Sequence, residues 1–386
     1  MSADATQTVE IGDVANPVSL RAGRACDFPV YAVTKHEGMV PSAEYFKKQV
    51  YSRDIEGYKV VRHGQFGYAT IHLDEGAIGI LESSENAIIS PMYTVFETDD
   101  RKVFAPYLLK LLKSDWALAK YKSMGNGSVH RRRSIPFNVL AKMRIQLPTL
   151  DEQRRIAVVL DKADDLCARR DLAARLAERF LRATFLRMFG DPVTNPKGWS
   201  IRKFGELGQW ASGGTPDRAR SDFFQGNIPW FAAGELNAMY VSESSERITD
   251  LALRRSSAKL FVEGSILLGM YDTAALKASI LEVPASSNQA CANFEPGPAV
   301  IVEWFYYFIQ LSKEHYLLRR RGVRQKNLNL GMIRAFDVPL PPVSLQEEFV
   351  SIVRQVRKIH AGGSAAGVLC RDLTASLRNQ FLGAQS

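Results

Sequence analysis

The feature that most constrains this chain is an internal repeat. The segment Ile11–Val14 recurs as Phe204–Leu207, and Ile145–Pro148 recurs as Val338–Pro341. The members of each pair lie 193 positions apart, which is half of the 386-residue chain. Repetition at a fixed period indicates consecutive copies of one structural unit. The sequence therefore predicts two long units that share the same edges.

Each copy ends in a segment that is typical of a long helix. Thr149–Glu152 and Ser344–Glu347 both fit the capping box S/T-x-x-E and follow a proline. Apolar residues then recur at spacings of three, four or seven, which favours two long helices packed as a coiled coil over two pairs of ordinary core helices. The residues predicted to pack between these helices or against a partner are Ile156, Leu160, Leu166, Phe180, Phe349, Ile352, Val356 and Leu373.

The two bodies that precede these helices contain short β-rich runs punctuated by glycine, and apart from their edges they share little sequence. We predict an α+β fold: two mixed α/β bodies joined by two long antiparallel helices, a coiled-coil spacer, with a pseudo-two-fold internal repeat. In the second helix the glycine-rich stretch Ala361–Gly367 predicts a kink, a local break or close packing. The predicted segments are 1–148 (first body), 149–190 (first helix), 191–341 (hinge and second body) and 342–386 (second helix).

Positive charge is concentrated at two corresponding places. The chain has a net charge of +9, and residues 129–144 and 319–334 contain several cations and no acid. Arginine can hold phosphates or read guanine edges through its planar fork. The duplicated placement favours DNA contact over the alternative of a solvated surface. The candidate DNA-binding residues of these stretches are His130, Arg131, Arg132, Arg133, Arg320, Arg321, Arg324 and Lys326.

Two further stretches of the second body are candidates for contact with DNA. The segment SGGTPDRARSDFFQGNIPW (Ser212–Trp230) lacks the spacing and the lysine of a nucleotide-hydrolysing P-loop. It is typical of a loop facing a polyanion or of a simple strand connection, and its candidates are Gly214, Thr215, Arg218 and Arg220. The amides of Asn288 and Gln289 can bond adenine bidentately, or they are polar loop residues without that role.

The sequence carries no catalytic signature. It contains no [D/N]-P-P-[Y/F/W] tetrapeptide, no G-x-G-x-x-G after a strand and no Walker-type loop. Its four cysteines lie far apart, so neither a disulfide framework nor a zinc site is indicated. The longest apolar run, Ala299–Leu311, is too short to span a bilayer, and the first residues do not have the pattern of a signal peptide. We expect a cytoplasmic protein without catalytic or metal-binding residues.

The chain resembles the specificity subunits of type I restriction–modification systems over nearly its full length. In the second half the resemblance rests on SGGTPDRARSDFFQGNIPWFAAGEL (Ser212–Leu236) and GVRQKNLNLGMIRAFDVPLPPVSLQEE (Gly322–Glu348). In the first half it rests on the segments Val33–Ser83 and Ile89–Glu97, and at the hinge on RMFGDPVTNPKGW (Arg187–Trp199). The chain departs from the family pattern at Thr149, where the second copy has a proline, and in the glycine-rich stretch of the second helix.

The resemblance implies a DNA-reading scaffold with no chemistry of its own. The two bodies would be target-recognition domains, each reading one half of a split, asymmetric site in double-stranded DNA, and the helices would fix their separation. Two methyltransferase subunits would bring S-adenosylmethionine, and restriction and translocase subunits would bring ATP and Mg²⁺. This chain itself would need no cofactor and no membrane.

Three other functions remain open from the sequence. The chain can be the specificity subunit of a fused restriction–methyltransferase system, which differs only in its partner. It can be a stand-alone DNA-binding regulator, which would bind its site without a methyltransferase. It can also be a protein scaffold whose basic loops never contact DNA, and its binding would then lack a steep salt dependence.

Overall fold

The chain folds into two compact units. The computed structural model describes residues 6–24, 26–124, 134–318 and 327–383, without the side chains of residues 360–369. The first unit comprises Met1–Arg170 and Ala365–Ser386, and the second comprises Asp171–Ser364. Residues 7–147 form the head of the first unit and residues 200–340 form the head of the second. Both divisions between units fall inside a long helix, so each unit contains one head and a part of each helix.

The first head is built from short strands and helices around an antiparallel sheet with the strand order β2-β9-β6-β7. Its strands are β1 Gln7–Glu10, β2 Ala15–Val18, β3 Tyr31–Thr34, β4 Gly38–Pro41, β5 Lys59–Val61, β6 Phe66–Ala69, β7 Ile78–Ile80, β8 Ala87–Ile89, β9 Tyr93–Thr98 and β10 Arg144–Leu147. Its helices are α1 Ser42–Tyr45, α2 Ala105–Leu112, α3 Asp115–Met124 and α4 Phe137–Leu140.

The second head has the corresponding sheet with one more strand, in the order β12-β19-β16-β17-β14. Its strands are β11 Ser200–Lys203, β12 Gly208–Ser212, β13 Ile228–Phe231, β14 Tyr240–Val241, β15 Glu246–Ile248, β16 Ile266–Gly269, β17 Ala278–Leu281, β18 Ser286–Ser287, β19 Cys291–Pro296 and β20 Asp337–Leu340. Its helices are α6 Asp250–Arg254, α7 Val302–Leu317 and α8 Leu330–Arg334.

The two heads therefore share a topology that their sequences conceal. In the first head β2 pairs with β9, the strand before α2, and β9 also pairs with β6. In the second head β12 pairs in the same way with β19, the strand before α7, and β19 also pairs with β16. The two bodies share little sequence beyond their edges, as predicted. Their central sheets nevertheless have the same strand topology, so the prediction of dissimilar bodies is wrong for the sheet. A sheet requires buried apolar side chains at alternate positions, which many different sequences supply.

The repeated edges of the sequence form a strand pair that closes each head. Gln7 of β1 lies opposite Leu147 of β10, and Ser200 of β11 lies opposite Leu340 of β20. Both partners are shifted by the same 193 positions, so the register of the pair is repeated as well. Because each pair brings the two ends of a head together, the long helix starts beside the point where the head begins.

The long helices are α5 Leu150–Phe189 and α9 Val343–Leu382, each 40 residues long. In the first unit their contacts run in opposite directions: Arg155 lies near Phe381 and Asp164 near Arg378. The helices are thus antiparallel there, as predicted. Of the three alternatives predicted for Ala361–Gly367, a local break is wrong, because α9 continues through that stretch. A kink or close packing there stays a prediction. The weak helix propensity of a few glycines does not end a long helix.

Only part of the apolar face of each long helix is buried. Ile156, Leu160 and Phe349 are buried, and Ile352 and Val356 are half-buried, as predicted for helix packing. The same prediction is wrong inside the chain for three residues that are about half exposed: Leu166, Phe180 and Leu373. Spacing identifies an apolar face but does not say which part of it meets the neighbouring helix. For these three residues, packing against a partner stays a prediction.

A disulfide joins the long helices in the first unit. Cys167 of α5 is bonded to Cys370 of α9, with their Cα atoms 6.0 Å apart and 203 positions between them in the sequence. The expectation that no disulfide forms is therefore wrong. Two antiparallel helices bring distant cysteines together, and the spacing of cysteines along a chain does not reveal such pairing.

The helices in the described ranges do not combine the length and apolar character that crossing a bilayer requires. Among the same residues there is no group of three or more His, Cys, Asp or Glu side chains placed to hold a metal ion.

A buried glutamine attaches each head to its long helix. The Oε1 atom of Gln153 accepts from the Phe104 amide at 2.8 Å, and its Nε2 donates to the carbonyls of Lys102 and Pro148 at 3.2 and 2.8 Å. The repeat-related glutamine of the second unit makes the same three bonds. Gln346 accepts from Ile301 at 2.9 Å and donates to Ala299 and Pro341 at 3.1 and 3.0 Å.

We predict that Gln153→Ala and Gln346→Ala each lower the free energy of unfolding of their unit by about 2–4 kcal/mol, because one amide and two carbonyls lose their partner in a buried place. Chemical denaturation of the full chain measures the change. Gln355→Ala is the matched control, since Gln355 is exposed on α9. Equal effects of the three substitutions would contradict the role of the buried pair.

Candidate nucleic-acid interface

The residues that follow the two basic stretches in the sequence pair at equivalent points of the two heads. Residues 125–133 and 319–326 lie outside the described residues. At the end of the first, the Ile135 amide donates to the Thr70 carbonyl at 2.8 Å, and at the end of the second, the Leu328 amide donates to the Met270 carbonyl at 2.8 Å. Thr70 follows β6 and Met270 follows β16, the corresponding strands of the two sheets. The predicted residues outside the description are His130, Arg131, Arg132, Arg133, Arg320, Arg321, Arg324 and Lys326.

The turn after β16 is a candidate site element that the sequence did not indicate. Tyr271, Asp272 and Thr273 are exposed there, and the Asp272 amide donates to Oδ1 of Asn327 at 3.1 Å, directly beside the basic stretch. Asp272 and the buried Leu276 hold left-handed backbone with φ of 47° and 57°, which is unusual for residues other than glycine. An exposed aromatic ring, a carboxylate and a hydroxyl can all contact bases. The sequence gives no sign of the backbone conformation that projects them.

The corresponding turn of the first head carries a different set of side chains. His72 is exposed there, and its Nδ1 lies 3.3 Å from Oε1 of Glu75. Tyr68, at the centre of the sheet, donates from its hydroxyl to the Ile135 carbonyl at 3.0 Å and fixes the end of the basic stretch. The two heads thus present different residues at the same structural position.

Two stretches that were selected separately lie together in the second head. The Gly214 amide donates to the Ser287 carbonyl at 2.9 Å, and the Thr215 hydroxyl donates to Oε1 of Gln289. Gln289 is exposed and Thr215 is half-buried. Asn288 is half-buried, and its Oδ1 accepts from the Ala290 amide at 3.1 Å, which stabilises the turn. Of the two amides, Gln289 is the one with an outward-facing surface.

Gly214 is a packing residue. It is buried, the Trp230 indole donates to its carbonyl at 3.0 Å, and a Cβ at this position would lie 2.3 Å from the backbone of Ser257. The prediction that Gly214 contacts DNA is therefore wrong, because the protein itself covers it. The short distance to Ser257 explains why no larger residue fits.

The two arginines of this loop are already paired. Arg218 makes two hydrogen bonds to Glu246, at 2.5 and 3.0 Å, and stacks on Phe224 and Trp230. Hydrogen bonding from Arg218 lowers the pKa of the Glu246 carboxyl, so the pair remains charged near neutral pH. Arg220 pairs with Asp222 at 2.8 and 2.6 Å. Each arginine is about half exposed and has further N–H groups beyond those bonded to its carboxylate. The DNA contact of both stays a prediction.

The chain is similar in sequence to proteins of one family. Residues 196–364 match the type I restriction modification DNA specificity domain. A type I restriction enzyme specificity subunit of Escherichia coli is 27% identical over 68% of this chain and 66% of its own length, slightly under two thirds of that relative. A HindI specificity subunit of Haemophilus influenzae is 19% identical over 89% of this chain and 92% of its own.

The fold is similar to that of a solved structure with little sequence identity. The type I restriction-modification S subunit of M. genitalium is 12% identical, with a TM-score of 0.66 over 98% of this chain and 96% of that one. A chain from a type I R-M system studied for complex assembly gives a TM-score of 0.54 at 16% identity. These likenesses support an α+β fold with long spacer helices.

We predict that Gly214→Ala lowers the free energy of unfolding by about 1–3 kcal/mol, because the added methyl group collides with the backbone of Ser257. Gly234→Ala is the matched control in the same head, since a Cβ at Gly234 meets no atom within 4 Å. Denaturation curves of both variants measure the difference. A Gly214→Ala variant as stable as the control would contradict the packing role.

Proposed function

We propose that this chain is a member of the type I restriction–modification specificity subunits and acts as the non-catalytic DNA-recognition subunit of such a system. The observation that carries the proposal is the equivalent pairing of the residues that follow the two basic stretches in the sequence. Ile135 pairs with Thr70 in the first head and Leu328 pairs with Met270 in the second, in each case at the turn after the corresponding strand of the sheet. This duplication supports two DNA-contacting surfaces of the same construction in one chain.

The target is bipartite and asymmetric. The heads share a central sheet, which supports the same mode of docking on the duplex for both. Their turns differ, with His72 and Glu75 in one and Tyr271 and Asp272 in the other. Identical heads would require a palindromic target, whereas different side chains at one position read different bases.

Phosphate and base contacts come from different parts of each head. The arginine-rich stretches supply charge for the phosphates, which fixes the register on the duplex. The turn Tyr271–Thr273 and the neighbouring pair of Thr215 and Gln289 supply hydrogen-bonding groups for base edges in the second head. This division follows from chemistry, since carboxylates and amides discriminate bases while clustered cations bind any backbone.

Two methyltransferase subunits dock on the helices, one on each unit. The first unit exposes Leu166 and Leu373, and the second exposes Phe180 and Ile359. These are repeat-related positions, because 166 and 359, and 180 and 373, are each 193 apart. Exposed apolar side chains on a long helix are typical of a protein contact. The repeat therefore offers the same apolar pair twice.

The cofactors belong to the partners and not to this chain. We assign S-adenosylmethionine to the methyltransferase subunits, and ATP with Mg²⁺ to restriction and translocase subunits that join the complex. The complex acts in the cytoplasm, where its DNA is accessible.

Sequencing of modified bases in the host genome, with and without this gene, tests the function. Loss of N6-methyladenine at one split, asymmetric motif is the expected result, and it also identifies the target. An unchanged methylome would contradict the proposal for an active system. Direct binding would then separate a regulator from a scaffold.

We predict that Arg131→Ala combined with Arg132→Ala weakens DNA binding and reduces the slope of log K against log salt by about two, because two phosphate contacts are lost. Fluorescence anisotropy with a labelled duplex containing the target measures the slope. Lys47→Ala with Lys48→Ala removes the same charge from the same head and serves as the control. An unchanged slope in the arginine variant would remove this stretch from the interface.

We predict that Phe180→Ser with Ile359→Ser reduces the number of bound methyltransferase subunits from two to one, because one of two equivalent apolar surfaces is lost. Native mass spectrometry of the reconstituted complex counts the subunits. Val158→Ser, at another exposed apolar residue of α5, is the control. Retention of two subunits in the double variant would contradict this docking surface.

A further inference from the structure

Two positions of the long helices reverse their charge between the copies of the repeat. Asp161 and Asp164 of α5 correspond, at an offset of 193, to Arg354 and Arg357 of α9. The glutamine two to three turns before them is the same in both copies, as Gln153 and Gln346, and makes the same bonds. The helices thus share the glutamine contact and carry opposite charges at the two other positions.

In the first unit the head presents a cation to the two acids. Nζ of Lys110, in α2, lies 2.6 Å from Oδ1 of Asp161 and 3.7 Å from Oδ2 of Asp164. The Lys110 side chain is 19% exposed, whereas Asp161 and Asp164 are 63% and 38% exposed, so the ion pair lies at the edge of the head with its acids partly solvated. Asp164 also accepts from Nη2 of Arg378 at 2.7 Å, which includes α9 in the network.

In the second unit the head presents an acid and an aromatic ring to the two arginines. Oε1 of Glu303, in α7, accepts from Nε and Nη2 of Arg354 at 3.0 and 2.7 Å. The Glu303 side chain is only 6% exposed. The guanidinium of Arg357 lies 4.3 Å from the ring centroid of Tyr240. A buried carboxylate needs a cation in this place, since an unpaired buried charge is strongly destabilising.

We infer that the charges at these positions make each head complementary to its own helix and not to the other helix. A first head on α9 would place Lys110 against two arginines, and a second head on α5 would place Glu303 against two aspartates. Only two residues separate each head from its own helix, so the chain brings the two together, and the glutamine attachment is common to both copies. The reversed charges make the packing of each head specific to its own helix, because the ion pair forms only in the matched combination. The inference concerns attachment within the chain and goes beyond the proposed function.

A charge-swap cycle on the full chain tests the pair in the second unit. We expect Arg354→Glu and Glu303→Arg each to raise the unfolded-to-folded ratio by about tenfold or more, and the double variant to recover most of that loss. Denaturation and hydrogen exchange of the α7 amides measure the effects. Lys358→Glu makes the same charge change on the same helix and should leave both unchanged. Additive losses in the double variant would overturn the inference.

An exchange of heads tests whether the charges match each head to its own helix. One chain carries residues 7–147 in place of residues 200–340, so that it has two first heads, and a second chain adds Arg354→Asp with Arg357→Asp. We expect slower hydrogen exchange of the transplanted α2 in the second chain, because Lys110 then meets acids. Equal exchange in the two chains would overturn the inference, and if neither folds, the charge-swap cycle decides. Neither experiment uses DNA, so its failure is distinguishable from failure of the proposed function.

Discussion

A single buried carboxamide is the contact on which each unit depends. At the second turn of each long helix, Gln153 or Gln346 bonds a backbone amide at the start of α2 or α7, one carbonyl shortly before that helix and one carbonyl at the end of the head. Glutamine suits this place because one side chain supplies both an acceptor and two donors. Without it, three backbone groups would be buried unpaired where strand pair, head and helix converge. The direction in which each helix leaves its head follows from this contact.

The two units repeat the contacts that build the scaffold and differ in individual charged and exposed residues. The strand pair, the central sheet and the glutamine attachment repeat, and they give both heads one construction. The charges at Asp161 and Arg354 and the residues of the turns at His72 and Tyr271 do not repeat. A duplicated scaffold can therefore carry two different recognition surfaces, since the parts that hold a head are distinct from the parts that we propose to contact DNA.

Much of this architecture can be predicted from the sequence, and the exceptions have physical causes. The repeat predicts two units, and the apolar spacing predicts the long helices. The pairing of Cys167 with Cys370 could not be predicted, because it depends on the relative register of two helices. The burial of Gly214 depends on the backbone of Ser257, which is distant in sequence. The exposure of Leu166 depends on which part of an apolar face meets its neighbour, and periodicity carries no such information.

The disulfide between the long helices also changes what a cut in the chain can do. The bond between Cys167 and Cys370 closes a covalent ring that contains the whole second head. Proteolysis of any single peptide bond inside that ring, including one in residues 319–326, leaves a molecule of unchanged mass apart from one added water. The two fragments separate only when the bond is reduced. Under denaturing but non-reducing conditions, an oxidised chain nicked inside the ring thus still migrates as one piece, whereas a chain cut in the first head, outside the ring, gives two fragments.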